Sequence, residues 1–348
     1  MTKSYRLCYP IYAPIGEYIF IIYKMINEKY YNDIKEFPAE FRKGFELAKS
    51  VTVEGKFTRA LLCGMGGSAL YVDLINDYLN SDPTIKFRLE VQRGYDLPNN
   101  VDENVLFLIT SHSGNTEETL SCLEQVNQKG YKYCIVTSGG KLLEEAKAAS
   151  SPLLKIPGGI QPRLSTGYFI AEILTLLCNV GLIPDKKAEV IAIADKILVD
   201  EDHAKDLAND LVDVLPIIYA TENNKSIATI AKIKFNENAK VQAFANYFPE
   251  LNHNEMVGYT KLVTKPYFII LKSNFANSRN FQRIEVFTKL MAEKGLESTI
   301  IEMQGASVLE EILNAYYFID FVTYYLAEKY QVDPEKVDMV ENFKALLN

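Results

Sequence analysis

Histidine is scarce in this chain. Three residues, His112, His203 and His253, occur in 348, far apart and with no pair at helical ligand spacing, so no metal-binding motif can be read. Cysteine is little commoner: Cys8, Cys63, Cys122, Cys134 and Cys178, an odd number with no C-x-x-C. Cys63, Cys134 and Cys178 lie in apolar runs, the pattern of buried free thiols in a reducing compartment rather than of a disulfide framework. A cytoplasmic location is therefore expected. Basic residues are outnumbered, and the net charge of −8 disfavours a nucleic-acid partner. It does not exclude an anionic ligand, because backbone amides and helix N-termini bind phosphate without a basic surface. The apolar run at 18–22 is bracketed by Glu17 and Lys24 and is too short to span a membrane. No small-residue cleavage site follows it, so neither an anchor nor a signal peptide is expected. Low-complexity tracts and short-period repeats are also lacking.

What is present is ordinary globular composition, 48% apolar and 24% charged, in a chain long enough for two domains. Short apolar runs alternate with longer helical patterns, the βα signature of a parallel sheet. In the first half, strands are predicted at 59–63, 87–91, 105–110, 133–137 and 153–156. Leu70, Leu74, Tyr78 and Leu79 mark one helical face. A second helix is predicted over 116–126, with Asn115 as N-cap and Glu118 three residues on. A third, over 165–180, is apolar nearly all round and should be deeply buried. The second half repeats the scheme, with strands at 215–220, 241–245, 267–271 and 299–303 and helices at 225–236, 278–294 and 309–330. A last short helix should follow Asp333, with Pro334 at its first position. The polar stretch 184–210 reads as one joining helix. The expectation is an N-terminal extension over 1–40, then two doubly wound, flavodoxin-like or Rossmann-like α/β domains over 41–183 and 184–348. Sites should lie at the carboxyl ends of strands.

Two segments could cradle phosphate. GMGGSA at 64–69 follows a strand and opens a helix. Gly66 and Gly67 allow close backbone approach, and Ser68 adds a hydroxyl at the helix start. The same residues also suit a plain glycine-rich turn with a capping serine. SHSGNTEET at 111–119 again follows an apolar strand. Ser111, Ser113, Asn115 and Thr116 crowd short polar side chains where a helix directs its positive end, which together make an anion site. An ordinary capped loop needs one such residue, not four. Glu117 and Glu118 would repel phosphate and should point away. His112 is equally readable as an exposed loop residue.

With these two segments in order, three more narrow the reading: GGIQPRLSTGY at 158–168, ENAK at 237–240 and FPELNHNE at 248–255. Together, from about residue 40 onward, they resemble the bifunctional phosphoglucose/phosphomannose isomerase family, which carries two sugar isomerase (SIS) domains. The resemblance implies interconversion of glucose 6-phosphate and fructose 6-phosphate, with mannose 6-phosphate a further substrate, through a cis-enediol. It implies no metal or organic cofactor, a small sugar phosphate as the partner molecule, and a homodimer.

Such a reaction needs ring opening, a base between C2 and C1, and stabilisation of the enediolate. Glu237 falls at a helix end, where the charged carboxylate is disfavoured by the dipole and is the better proton acceptor. From residues alone it reads as a solvated helix-end glutamate; the resemblance makes it the proton-shuttling base. His253 is readable as a loop histidine or a proton shuttle; the resemblance assigns it ring opening, donated by the neighbouring subunit. Arg163 is an ion pair bracing a loop or, by resemblance, a guanidinium at the substrate. Lys344 is a solvated terminal lysine or, by resemblance, the partner of His253 in ring opening. One departure stands out. Seven residues before Lys344 the bifunctional enzymes carry threonine, and here the residue is Val337, which puts the mannose 6-phosphate activity in doubt.

Two rivals make different demands. A non-catalytic sugar-phosphate sensor needs the serine loops but not Glu237, His253 and Lys344, and no helix-turn-helix segment is read before the first half. The isomerase half of a glucosamine-6-phosphate synthase would require a glutamine-hydrolysing domain with a terminal cysteine, for which Cys8 and the stretch before Lys56 are unsuited.

Overall fold

The computed structural model of the chain describes residues 28–347; Cys8 and the apolar run at 18–22 lie outside them. Helix α1 (Phe37–Ala48) leads into β1 (Arg59–Cys63), α2 (Tyr71–Ser81), β2 (Glu90–Gln92), β3 (Val105–Thr110), α3 (Glu117–Lys129), β4 (Tyr133–Thr137), α4 (Gly140–Ala148), β5 (Leu153–Lys155) and α5 (Thr166–Asn179). Two short helices, α6 (Lys187–Ala192) and α7 (Glu201–Asp210), bridge to β6 (Leu215–Thr221), α8 (Lys225–Glu237), β7 (Phe244–Phe248), β8 (Pro266–Lys272), α9 (Ser278–Glu293), β9 (Glu297–Glu302), α10 (Val308–Tyr330) and α11 (Asp338–Leu347).

The strands form two parallel sheets in the orders β2-β1-β3-β4-β5 and β7-β6-β8-β9. The halves thus share one winding, with the chain reversing direction beside β1 in the first and β6 in the second. Each sheet is covered on both faces, so its central strands are apolar throughout; β3 is buried at every position. Alternation splits them between two cores. Leu106 and Leu108 face a large core common to both halves, while Phe107 and Ile109 face one private to the first. Ile217, Tyr219, Phe268 and Ile270 make the private core of the second. Helix α5, expected to be deeply buried, is buried from Thr166 to Leu177 and lies in the common core. No helix among the described residues is long and apolar enough to cross a membrane.

Several expectations are corrected. The strand read at 241–245 begins at Phe244. Before it the backbone is engaged with the end of α8 instead: Val241 N–H donates to the Phe235 carbonyl at 3.2 Å, and the Val241 carbonyl accepts from Asn236 Nδ2 at 2.8 Å. The joining helix over 184–210 is broken in two. A 3-10 turn (Ile193–Asp195) ends the first piece, and Asp200 restarts the chain as N-cap of α7, its carboxylate accepting from His203 N–H at 3.0 Å. Thr116, not Asn115, is the N-cap of α3; Asn115 Oδ1 accepts from Lys141 N–H at 3.1 Å across the loop. Pro334 starts no helix, because α11 begins at Asp338 and the Pro334 carbonyl is held by Arg163 Nη2 at 2.6 Å.

Helix α8 is held from both halves. Asp77, on α2, accepts from Ser226 N–H at 3.2 Å and from the Ser226 hydroxyl, capping its first turn. Near its other end Lys234, 2% exposed, pairs with Asp320 of α10, 1% exposed, and lies 3.6 Å from the Tyr316 ring centroid. Burial pulls the lysine down and pushes the carboxyl up, while their mutual attraction favours the charged pair. Removing one partner leaves the other buried and uncompensated. Asp320→Leu should therefore lower stability by about 3–5 kcal/mol in urea unfolding, and adding Lys234→Met should recover most of that loss. A single variant as stable as wild type would show that the pair does not hold α8.

Candidate active site

The first sheet reverses direction between β1 and β3, the position where ligands bind in doubly wound folds. Both serine segments lie there, joined by His112 N–H donating to Ser68 Oγ at 2.9 Å. Ser111 Oγ shares a 2.7 Å hydrogen bond with Thr116 Oγ1, lies 3.4 Å from Ser113 Oγ and accepts from Gly114 N–H at 3.1 Å. Ser68 and Ser111 are buried and Ser113 is exposed, so the loop presents hydroxyls at its mouth before the start of α3. Gly114 shapes it: φ is +72°, and an added Cβ would lie 1.8 Å from the Gly139 carbonyl oxygen. Glu117 is reached by the hydroxyl of Tyr95 at 3.4 Å. His112 is not the exposed loop residue it resembled. It is buried, with Nε2 3.4 Å from Ser165 Oγ, and burial lowers its pKa.

Gly67 connects these loops to the second set of residues. A Cβ on it would meet Pro162 at 3.0 Å and Arg163 N at 3.3 Å. Arg163, 3% exposed, is surrounded by acceptors. Nε donates to Asn238 Oδ1 at 2.8 Å and to Tyr30 Oη at 3.3 Å. Nη1 donates to Gln161 Oε1 at 3.3 Å and lies 3.3 Å from Glu237 Oε2. Nη2 donates to the carbonyls of Pro334 and Glu335 at 2.6 and 3.0 Å. All three nitrogens therefore have protein partners, and the brace reading of Arg163 describes what it does here. It also fixes Glu237, the last residue of α8.

Glu237 opens on a cavity of about 950 Å³. Asn236, Lys240, Asp333, Val337 and Phe343 share its lining. Val337 thus shares a cavity wall with the candidate base. It directly precedes α11, and its carbonyl accepts from Val340 N–H at 2.8 Å and Glu341 N–H at 3.1 Å, so it occupies a capping position with a side chain that cannot cap. Lys344 lies on the exposed helix one residue beyond Phe343 and is not part of this lining. His253 is not brought to Glu237. Helix α8 returns the chain to the amino end of β7, and the exposed His253 follows the carboxyl end of that strand. Five strand residues alone span about 16 Å. Sequence reasoning missed Tyr30 and Asn238, which orient Arg163 from distant positions, and the placement of Lys240. The only sequence signal for Lys240 was its membership of ENAK.

Comparison with known proteins identifies the family. A family model described as the bacterial phospho-glucose isomerase C-terminal SIS domain matches residues 200–347. A bifunctional phosphoglucose/phosphomannose isomerase of Thermoplasma acidophilum is 35% identical over 83% of this chain and 90% of its own length. A D-glucosamine-6-phosphate 4-epimerase of Sulfolobus acidocaldarius is 34% identical over 57% of this chain and 62% of its own. Among solved structures, a hypothetical protein of Thermus thermophilus superposes with a TM-score of 0.72 at 14% identity, covering 95% of each chain, which is a likeness of fold. The chain belongs to the bifunctional phosphoglucose/phosphomannose isomerase family.

The loop geometry predicts that inorganic phosphate will raise the melting temperature of the wild-type protein and that Gly114→Ala will abolish that rise. Gly130 is the control. It also has positive φ, at +67°, but a Cβ there would meet nothing within 4 Å, so Gly130→Ala should cost only about 1 kcal/mol of backbone strain and keep the phosphate response. An undiminished response in Gly114→Ala would remove the loop from phosphate binding.

Proposed function

We propose that this chain is a cytoplasmic aldose–ketose isomerase interconverting glucose 6-phosphate and fructose 6-phosphate, and also taking mannose 6-phosphate. The observation that carries the reading is the pairing of Glu237, on a cavity wall, with the buried Arg163, against whose turn the Gly67 loop packs. Ser68, Ser111, Ser113 and Thr116, with the amides of Gly66 and Gly67, hold the substrate phosphate. In the open-chain aldose the C1 carbonyl acidifies the C2 proton. Glu237 takes that proton, the C2–H electron pair forms the C1=C2 bond, and negative charge develops on O1. A proton passes from O2 to O1. Glu237 then returns its proton to C1, leaving the carbonyl at C2. Substrate acidity of this kind calls for no metal or organic cofactor.

The Arg163 guanidinium suits this cycle through Glu237. A carboxylate 3.3 Å from a fixed cation is held in one orientation, with its second oxygen directed elsewhere. The brace around Arg163 keeps Glu237 in that orientation as it takes up and returns the proton. Ring opening falls to Lys344 and to His253 of the partner subunit, because the chain's own histidine lies at the wrong end of β7. The assembly is then a homodimer with shared sites.

A coupled assay supplying fructose 6-phosphate and detecting glucose 6-phosphate tests the reading. Glu237→Gln should lower turnover about a thousandfold, as loss of a general base does, with an unchanged melting temperature. Wild-type protein that binds fructose 6-phosphate without converting it would leave a sensor in place of an enzyme; conversion of glucosamine 6-phosphate alone would favour epimerisation. Mixing the separately inactive Glu237→Gln and His253→Ala proteins should restore activity if the site is shared, and should restore none if His253 acts within its own chain. Val337→Thr should stabilise the protein by about 1 kcal/mol through the new N-cap and raise turnover of mannose 6-phosphate relative to glucose 6-phosphate. Equal ratios in both proteins would separate Val337 from epimer preference.

A further inference from the structure

We propose that Lys240 is a further catalytic residue, whose ammonium donates to the substrate oxygen that gains negative charge as Glu237 removes the proton. The proposal rests on the isomerase reading and extends it to a group that the site description left without a task.

Three independent features converge on this side chain. The backbone of Lys240 is left-handed, with φ +58°, a conformation costly for a residue with a Cβ and retained where the surroundings demand it. Here it turns the chain sharply after α8 and lays the lysine back over the helix end, where Nζ donates to the carbonyl of Glu237 itself. Lys240 also lines the same cavity as Glu237 and is exposed toward it. An ammonium has three donors; with one on the Glu237 carbonyl, two remain for a ligand beside the base. Finally, the other cation at the base is committed. Each guanidinium nitrogen of Arg163 is already matched to protein acceptors, so Arg163 cannot reach a substrate oxygen without breaking its brace. Lys336, exposed on the same lining, is paired with Asp333 at 4.0 Å.

The charges around Lys240 make its contribution visible in pH. Packing around the ammonium and the nearby Arg163 charge lower its pKa to about 8, against the opposing influence of Asp333, Glu237 and Asp338. The lysine is thus charged at neutral pH and loses its charge as pH rises through that value. No proton need leave it during turnover, because its role is to balance the enediolate charge.

A purely structural lysine is the competing explanation, since a cation at a helix C-terminus also favours the helix. Turnover of fructose 6-phosphate should therefore be followed between pH 6 and 10 in wild type, Lys240→Arg and Lys240→Met, with the melting temperature of each. Wild-type kcat should fall through an alkaline limb near pH 8. Lys240→Met should lose about a hundredfold or more in kcat at pH 7, the cost of removing one donor to a developing oxyanion. Lys240→Arg, whose charge does not titrate in this range, should retain more activity than Lys240→Met and lack the alkaline limb. Lys240→Met within threefold of wild type, or an unchanged alkaline limb in Lys240→Arg, would overturn the proposal. Should Lys240→Met fail to fold, the Lys240→Arg profile decides alone. A wild-type protein that turns over no sugar phosphate would defeat the isomerase reading instead, and the role of Lys240 with it.

Discussion

The position of helix α8 is the constraint on which the site depends. Its first turn is capped by a carboxylate from the other half, Asp77, and its last turn is anchored by the buried Lys234–Asp320 pair. Between those two points the helix has no freedom to slide or rotate, and Glu237 follows Lys234 by less than one turn. Burying two charges is costly unless their geometry is good, so such a pair contributes position more than stability. Position is what Glu237 would need in the proposed proton transfer, since a displacement of a fraction of an ångström separates a base from a bystander. Arg163 completes the constraint from outside the helix, bringing Gln161, Glu237, Asn238 and the 334–335 turn to one centre.

The repeated winding explains how the labour is divided. Both sheets reverse direction at equivalent strands, so each half has a crevice at the carboxyl ends of its strands. In the first half the crevice holds the serine loops, and the start of α3 faces outward past exposed Ser113. In the second half α8 follows β6 as α2 follows β1, and the Ser226 amide at its start is taken by Asp77. A carboxylate from the first half thus occupies the start of this helix. The helix gains an anchor at this end, and Glu237 lies at its other end.

How much of this was legible in the sequence depended on whether neighbours in the chain were also neighbours in space. Strands β1, β3 and β4 begin and end where the apolar runs do, because burial on both faces demands an unbroken run. Both serine loops could be read for a similar reason: the turn, the hydroxyls and the helix start are consecutive. The strand at 241–245 was misplaced because the same apolar residues satisfy their backbone against a helix end, which periodicity cannot see. The joining segment broke at Asp200 because a side-chain cap offered the backbone an alternative to continuing the helix. The sequence draws attention to Arg163 but not to its environment. Tyr30 and Asn238 are 133 and 75 positions away, and no local pattern announces a pairing at that distance.

The same distinction bears on the incomplete part of the site. His253 is exposed at the far end of β7, and α11 buries none of its residues. Met339 and Leu346, 86% and 87% exposed, are apolar side chains that a helix made only for solvent would not select. A histidine suited to ring opening but remote from the base, and an apolar helix forming one wall of the cavity while facing water, are separate anomalies in one chain. In the proposed dimer they have one cause. The wall formed by α11 lacks a cover, and His253 of the partner subunit would be carried toward it on the partner's own surface. Glu237, Arg163 and Lys240 come together within a single subunit, as the proposed proton transfer with its fixed distances would require. Ring opening precedes that step and tolerates a group supplied from outside.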